Sequence, residues 1–151
     1  MNLSMDGNQR LVAAARRYTG VPFRHRGRSN RGLDCAGLVW IAYRDCGLEL
    51  PDNARYGREP HRDGLVTHCR VALGEEIATP PVNSARLEPG DVLVMRFEFE
   101  PHHMAIVTRH PLGHLAILHA DGDRGQLSCV LEHGLSADMV SRITHVFRRP
   151  V

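Results

Sequence analysis

Ten histidines and four cysteines are the residues of this chain best suited to nucleophilic or metal chemistry, and their placement separates them. Cys35, Cys46, Cys69 and Cys129 form no CxxC pair, which argues against a zinc knuckle or a thioredoxin-type redox motif. Cys35 follows Asp34, a good helix N-cap, and is followed by the small residues Ala36 and Gly37. A cysteine in a first helical turn lies beside free backbone N–H groups and the positive end of the helix dipole. Both stabilise a thiolate, and the same N–H groups can receive the oxyanion formed when that thiolate attacks a carbonyl. Ala36 and Gly37 leave room for a substrate beside the sulfur. An arbitrary cysteine is more often a buried structural residue. Cys46 at a helix end, Cys69 on an apolar helical face and Cys129 at a strand start keep that reading.

A cysteine nucleophile also needs a base. Five histidines fall between His102 and His119. His103 opens the apolar run His-Met-Ala-Ile-Val, and His119 closes Leu-Ala-Ile-Leu-His. If these runs are neighbouring strands, both imidazoles project toward one site, where one takes the thiol proton and the other fixes its tautomer. A single strand-edge histidine is more often solvated or a core residue, but two of them with a helix-start cysteine suggest acyl transfer. The rival is a zinc site drawn from His102, His103, His110, His114 and His119, which needs three or four converging ligands. His102 and His103 are adjacent and should point to opposite faces of a strand. His110 and His114 flank the 111–113 turn and read as exposed. No metal is expected.

The elements that must position these groups read as follows. A first helix runs from about Asn8 to Tyr18, capped by Asp6 or Asn8, with Leu11, Val12, Ala15 and Tyr18 near one face. Gly20-Val21-Pro22 stops it, and Arg24 to Gly32 is a basic loop. The second helix starts at the Asp34 cap and ends at Gly47, with Leu38, Val39, Ala42 and Tyr43 inward. A turn-rich stretch, Leu48 to Pro60, leads to a third helix capped by Asp63 and running to about Leu73. After Pro80-Pro81 the pattern becomes strand-like: Val92–Met95, His103–Thr108, Leu115–His119, Cys129–Glu132 and Thr144–Arg148. Helices first and strands afterwards predict an α+β fold, N-terminal helices packed on a C-terminal antiparallel sheet of about five strands.

Residues 1–151 read as a single domain, long enough to bury a core and without repeats or an interdomain linker. A formal charge of +2 is too small to imply a nucleic-acid partner. No run approaches the roughly 18 apolar residues of a membrane helix, so no membrane insertion is expected. The N-terminal residues lack the basic-then-apolar pattern of a secretion signal, so synthesis as a soluble cytosolic chain is expected.

Several blocks in order carry a resemblance over about Leu11 to Phe147. They are Thr19-Gly20-Val21-Pro22-Phe23, Gly32-Leu33-Asp34-Cys35-Ala36-Gly37-Leu38-Val39, Gly47-Leu48-Glu49-Leu50-Pro51, Leu87-Glu88-Pro89-Gly90-Asp91-Val92-Leu93, His103-Met104-Ala105-Ile106-Val107 and Ile117-Leu118-His119-Ala120. The chain thereby resembles the NlpC-like cell-wall cysteine peptidases, a papain-like family. The resemblance implies Cys35 as nucleophile, His103 as general base and His119 as the orienting residue, with no metal or organic cofactor. It implies a peptidoglycan stem peptide as substrate, cut through a thioester acyl-enzyme. A short chain of this kind also resembles peptidases of phage tails, which would make tail proteins partners and the cell wall the place of action. The family often has Tyr at the position of Phe23 and Ser at that of Ala36, which with Asp34 contact the substrate's free amino end. Two of those three polar contacts are missing here. The other readings are a non-enzymatic tail-assembly or wall-binding module, and an amidase or acyltransferase using the same Cys-His pair.

Overall fold

The computed structural model describes residues 6–52, 64–97, 101–122 and 124–151. Helix α1 (Gly7–Arg16) begins at a capping box, in which Asp6 accepts from the Gln9 N–H and the Gln9 side chain accepts from the Asp6 N–H. It buries Leu11, Val12, Ala14 and Ala15, and ends before Tyr18. A short hairpin, β1 (Arg28–Ser29) with β2 (Gly32–Leu33), lies inside the basic loop. Strand alternation is not evident in its Arg-Ser-Asn-Arg-Gly sequence, so no strand was expected there. Helix α2 (Cys35–Asp45) follows, and Gly47 adopts the positive φ of 88° that a chain leaving a helix C-terminus requires. Helix α3 (Leu65–Leu73) has Gly64 at its N-cap position with no side-chain cap; the expected cap Asp63 lies outside the described residues.

The main sheet contains β3 (Val92–Arg96), β4 (Pro101–Arg109), β5 (Leu115–Ala120), β6 (Val130–Gly134) and β7 (Ile143–Phe147). It is antiparallel in the order β6-β5-β4-β3-β7. A short helix α4 (Ala137–Ser141), capped by Ser136, joins the last two strands. The α+β architecture expected from the sequence is present. Strand β6 is displaced from the expected Cys129–Glu132: Cys129 forms only an isolated bridge with Pro22, and pairing with β5 continues to Gly134.

Both faces of the sheet are covered. Val92, Val94, Met104, Ile106 and Leu118 pack against the N-terminal helices. Leu93, Met95, Ala105, Val107 and Ile117 pack on the other side with Leu87, Val82, Leu135 and Val140. Burial on both faces explains why β3, β4 and β5 read as continuous apolar runs rather than alternating ones. Each such large side chain contributes roughly 1.5–3 kcal/mol by leaving water. The Glu88-Pro89-Gly90-Asp91 turn is anchored by Asp91, which is fully buried. It accepts from the Glu88 N–H at 2.8 Å and from the Arg148 guanidinium at 2.7 and 2.9 Å. The turn thus fixes the start of β3 against the end of β7. Among the described residues no helix is long and apolar enough to cross a membrane.

Candidate active site

Helix α2 owes its position to two residues flanking Cys35. Asp34, extended at φ −99°, accepts the Gly37 N–H at 2.8 Å as the N-cap. Its carboxylate also accepts from the Arg26 N–H and the Arg28 guanidinium, both at 2.9 Å, and Arg28 reaches on to Asp52. Gly37 lets the helix start lie directly on the preceding loop: a Cβ there would come within 2.0 Å of the Gly27 carbonyl oxygen. Any side chain at this position would push the first turn away from the loop, and Cys35 with it.

The half-buried Cys35 opens onto a cavity of about 470 Å³, which His103 and His119 also line. Phe23, Asp34 and Ala36 are on its wall as well, so it gathers all six residues singled out from the sequence. The loop bearing Phe23 is tied to the sheet through Gly20, Val21 and Phe23 backbone bonds to Val130 and Ser128. The Phe23 ring lies against Gly122, where an added Cβ would meet ring carbons at 3.0 to 3.2 Å.

The two expected histidines are in direct contact. His103 Nε2 lies 2.8 Å from His119 Nδ1, with the rings edge to face. A third imidazole, missed from the sequence, extends the line: His119 Nε2 lies 2.8 Å from His133 Nε2. Leu131 stands opposite His119 and His133 opposite Ile117, so the two imidazoles are diagonal neighbours on one face. With β6 read as ending at Glu132, His133 fell in a turn. The period-2 spacing from Leu131 was the available signal.

His102 departs from the expectation that it turns away. It reaches the same cavity and lies 6.2 Å from the Phe97 ring, while His103 lies 5.2 Å from it. The register of β3 and β4 shifts between Met95 and Arg96, passing from His103 to Pro101 and leaving His102 as the extra residue. A bulge of this kind re-aims a side chain that regular alternation would have sent to the opposite face. His110 and His114 are exposed and stack on each other at 4.3 Å, away from the cavity. Among the described residues no three metal-ligating side chains converge so as to hold a metal ion.

Burial dominates the electrostatics. It pushes the Cys35 thiol up to about 12, and the Asp34 charge adds to the rise; backbone hydrogen bonds from Met104 and Ala36 and the charge of Arg28 oppose it. Burial also holds His103 down to about 3 and His119 down to about 4, helped by the neighbouring histidines. The helix-start thiolate expected from the sequence is therefore outweighed in the resting site by desolvation. Thiol and imidazole therefore rest neutral on the wall of the same cavity.

Comparison with known proteins bears on the fold and family of the chain. The family model for the NlpC/P60 family matches residues 20–146. No curated protein matches the chain. Among solved structures, an NlpC/P60 family protein from Bacillus cereus ATCC 10987 is similar, with a TM-score of 0.63 and 18% identity over 95% of this chain and 40% of that one. The NlpC/p60 domain of the peptidoglycan hydrolase SagA gives 0.59 and 18%, over 93% of this chain and 97% of that domain. NlpC1 from Trichomonas vaginalis gives 0.65 and 14%, over 99% and 46%. The chain thus spans less than half of two of these proteins and nearly all of the SagA domain. With a family match over most of its length and the same fold in each of these structures, the chain belongs to the NlpC/P60 family.

Proposed function

We propose that the chain is a cysteine peptidase that cleaves a peptide bond in peptidoglycan stem peptides. The observation that carries this reading is the convergence of Cys35, at the start of α2, and the hydrogen-bonded His103–His119 pair on one cavity. Because His103 Nε2 is engaged by His119, Nδ1 is the nitrogen left to take the Cys35 proton. The sulfur then attacks the scissile carbonyl carbon, and negative charge develops on its oxygen. The Gly37 N–H is taken by the Asp34 side chain, the Leu38 N–H by the Asp34 carbonyl and the Ala36 N–H by the Cys35 sulfur, which leaves that of Cys35 for this oxyanion. Collapse breaks the C–N bond, and His103 returns the proton to the departing amine. Water, deprotonated by His103, releases the acyl group from the thioester.

The substrate's amino end meets an altered wall. Phe23 and Ala36 offer no hydroxyl, and Asp34 is occupied by its helix cap and by Arg28. We therefore favour stems that do not depend on a free amine for recognition. The test is mass spectrometry of purified muropeptides after incubation with the protein, with Cys35→Ala as control. New peptide ends that depend on Cys35 support the reading and identify the bond. Intact muropeptides, alongside selective labelling of Cys35 by a thiol probe, would favour amidase or acyltransferase chemistry on another substrate.

A further inference from the structure

The line of imidazoles does not stop at His119. His133 Nδ1 lies 3.0 Å from the Gly134 carbonyl oxygen. A carbonyl only accepts, so His133 must carry its proton on Nδ1, and a neutral His133 then presents a lone pair at Nε2. The 2.8 Å contact with His119 requires one donor, which must be His119 Nε2–H. The lone pair of a neutral His119 is therefore on Nδ1, and the 2.8 Å contact with His103 requires His103 Nε2–H to donate. The lone pair remaining on His103 is on Nδ1. One backbone carbonyl, acting through three rings, thereby selects the tautomer in which the base can accept the thiol proton.

We propose that His133 is a positioning residue that, with the Gly134 carbonyl, holds His119 and His103 in the tautomers needed for base catalysis. This rests on the proposed Cys35–His103 chemistry. No proton has to travel along the relay. When His103 becomes an imidazolium, its Nε2–H bond to His119 strengthens, and the aligned His119 and His133 dipoles favour the new charge. The relay ends on a neutral carbonyl. The nearby carboxylate Asp121, bonded to Arg124 at 2.9 Å, also favours positive charge on His119 and His103. Sheet pairing fixes the geometry, since β5 and β6 hold His119 and His133 as diagonal neighbours.

Three variants of the full chain test the proposal: His133→Gln, His133→Leu and His133→Lys. Glutamine retains an acceptor for His119 Nε2–H, leucine offers none, and lysine offers only donors, which would force the opposite tautomers. The first readout needs no substrate: the rate of Cys35 alkylation by iodoacetamide at neutral pH, followed by peptide mass spectrometry to separate it from the other cysteines. The second is long-range proton–nitrogen NMR of the histidine rings, which reports which nitrogen is protonated. We expect glutamine to stay within about threefold of wild type, leucine to fall roughly tenfold and lysine further, with kcat rather than KM affected on any turned-over substrate. Equal alkylation rates in all three variants would overturn the proposal. So would a wild-type spectrum with the His103 proton on Nδ1 or the His133 proton on Nε2, a result that needs no variant to fold. The expected tautomers and alkylation rates together with intact muropeptides would support the relay and count against the proposed substrate.

Discussion

Asp34 distinguishes a structural account of the cavity wall from a substrate-binding one. Its side chain is 5% exposed and, among other contacts, accepts from the Gly37 N–H, the Arg26 N–H and the Arg28 guanidinium. Asp34→Ala removes the cap of α2, a loss of about 1 kcal/mol. It also breaks the ion pair with Arg28. That guanidinium keeps Asp52 as a partner, so its charge is not stranded, and a further cost of about 2 kcal/mol is expected rather than that of an isolated buried charge. The total of about 3 kcal/mol should lower Tm by roughly 6–12 °C in a chain of this size. Asp34→Asn keeps an oxygen for the Gly37 N–H and should lose about half as much. Thermal unfolding followed by circular dichroism measures both variants, and kinetics on stems with free and blocked amines run beside it. If Asp34 were mainly an amine ligand, Asp34→Asn would leave Tm unchanged and raise KM for the free-amine stem alone. That pattern, or an alanine variant melting within about 2 °C of wild type, would refute the reasoning.

Four further outcomes are expected. Cys35→Ala and Cys35→Ser should fold normally and lose at least tenfold to a hundredfold in turnover, while Cys46→Ser retains activity, as read by a muropeptide assay. His103→Ala should abolish turnover, whereas His119→Asn should keep more than His119→Ala because the amide still hydrogen-bonds; equal rates in wild type and His103→Ala would remove His103 from the mechanism. Stability should decline as pH falls from about 6.5 toward 4 and 3, because His119 and His103 are held neutral in the fold but take up protons when unfolded. For the 4%-exposed His119 the loss is at most about 3 kcal/mol, and His119→Gln should flatten a chemical-denaturation series over that range. Phe23→Tyr with Ala36→Ser should shift the ratio of kcat/KM by about tenfold toward free-amine stems, and an unchanged ratio would place amine selection elsewhere.

Much of the fold and the central part of the site were legible locally. The Asp34 cap, the small residues after Cys35 and the Gly47 stop define α2 within a few consecutive residues. The apolar runs after His103 and before His119 mark strands because both sheet faces are buried. The short hairpin from Arg28 to Leu33 was not legible, since its sequence shows no strand alternation; in the fold Arg28 reaches Asp34 and Asp52 while Leu33 joins the core. The side to which His102 points was not legible either, because it follows from a register shift between two strands.

The sequence by itself determined which residue types could react, and where helix and strand begin, because caps, turns and periodicity act between near neighbours. Only the tertiary structure decided how those residues are charged and linked. Burial by distant elements outweighed the helix terminus at Cys35, and strand pairing brought His133 against His119, because desolvation and cross-strand contact depend on what the fold packs around a residue.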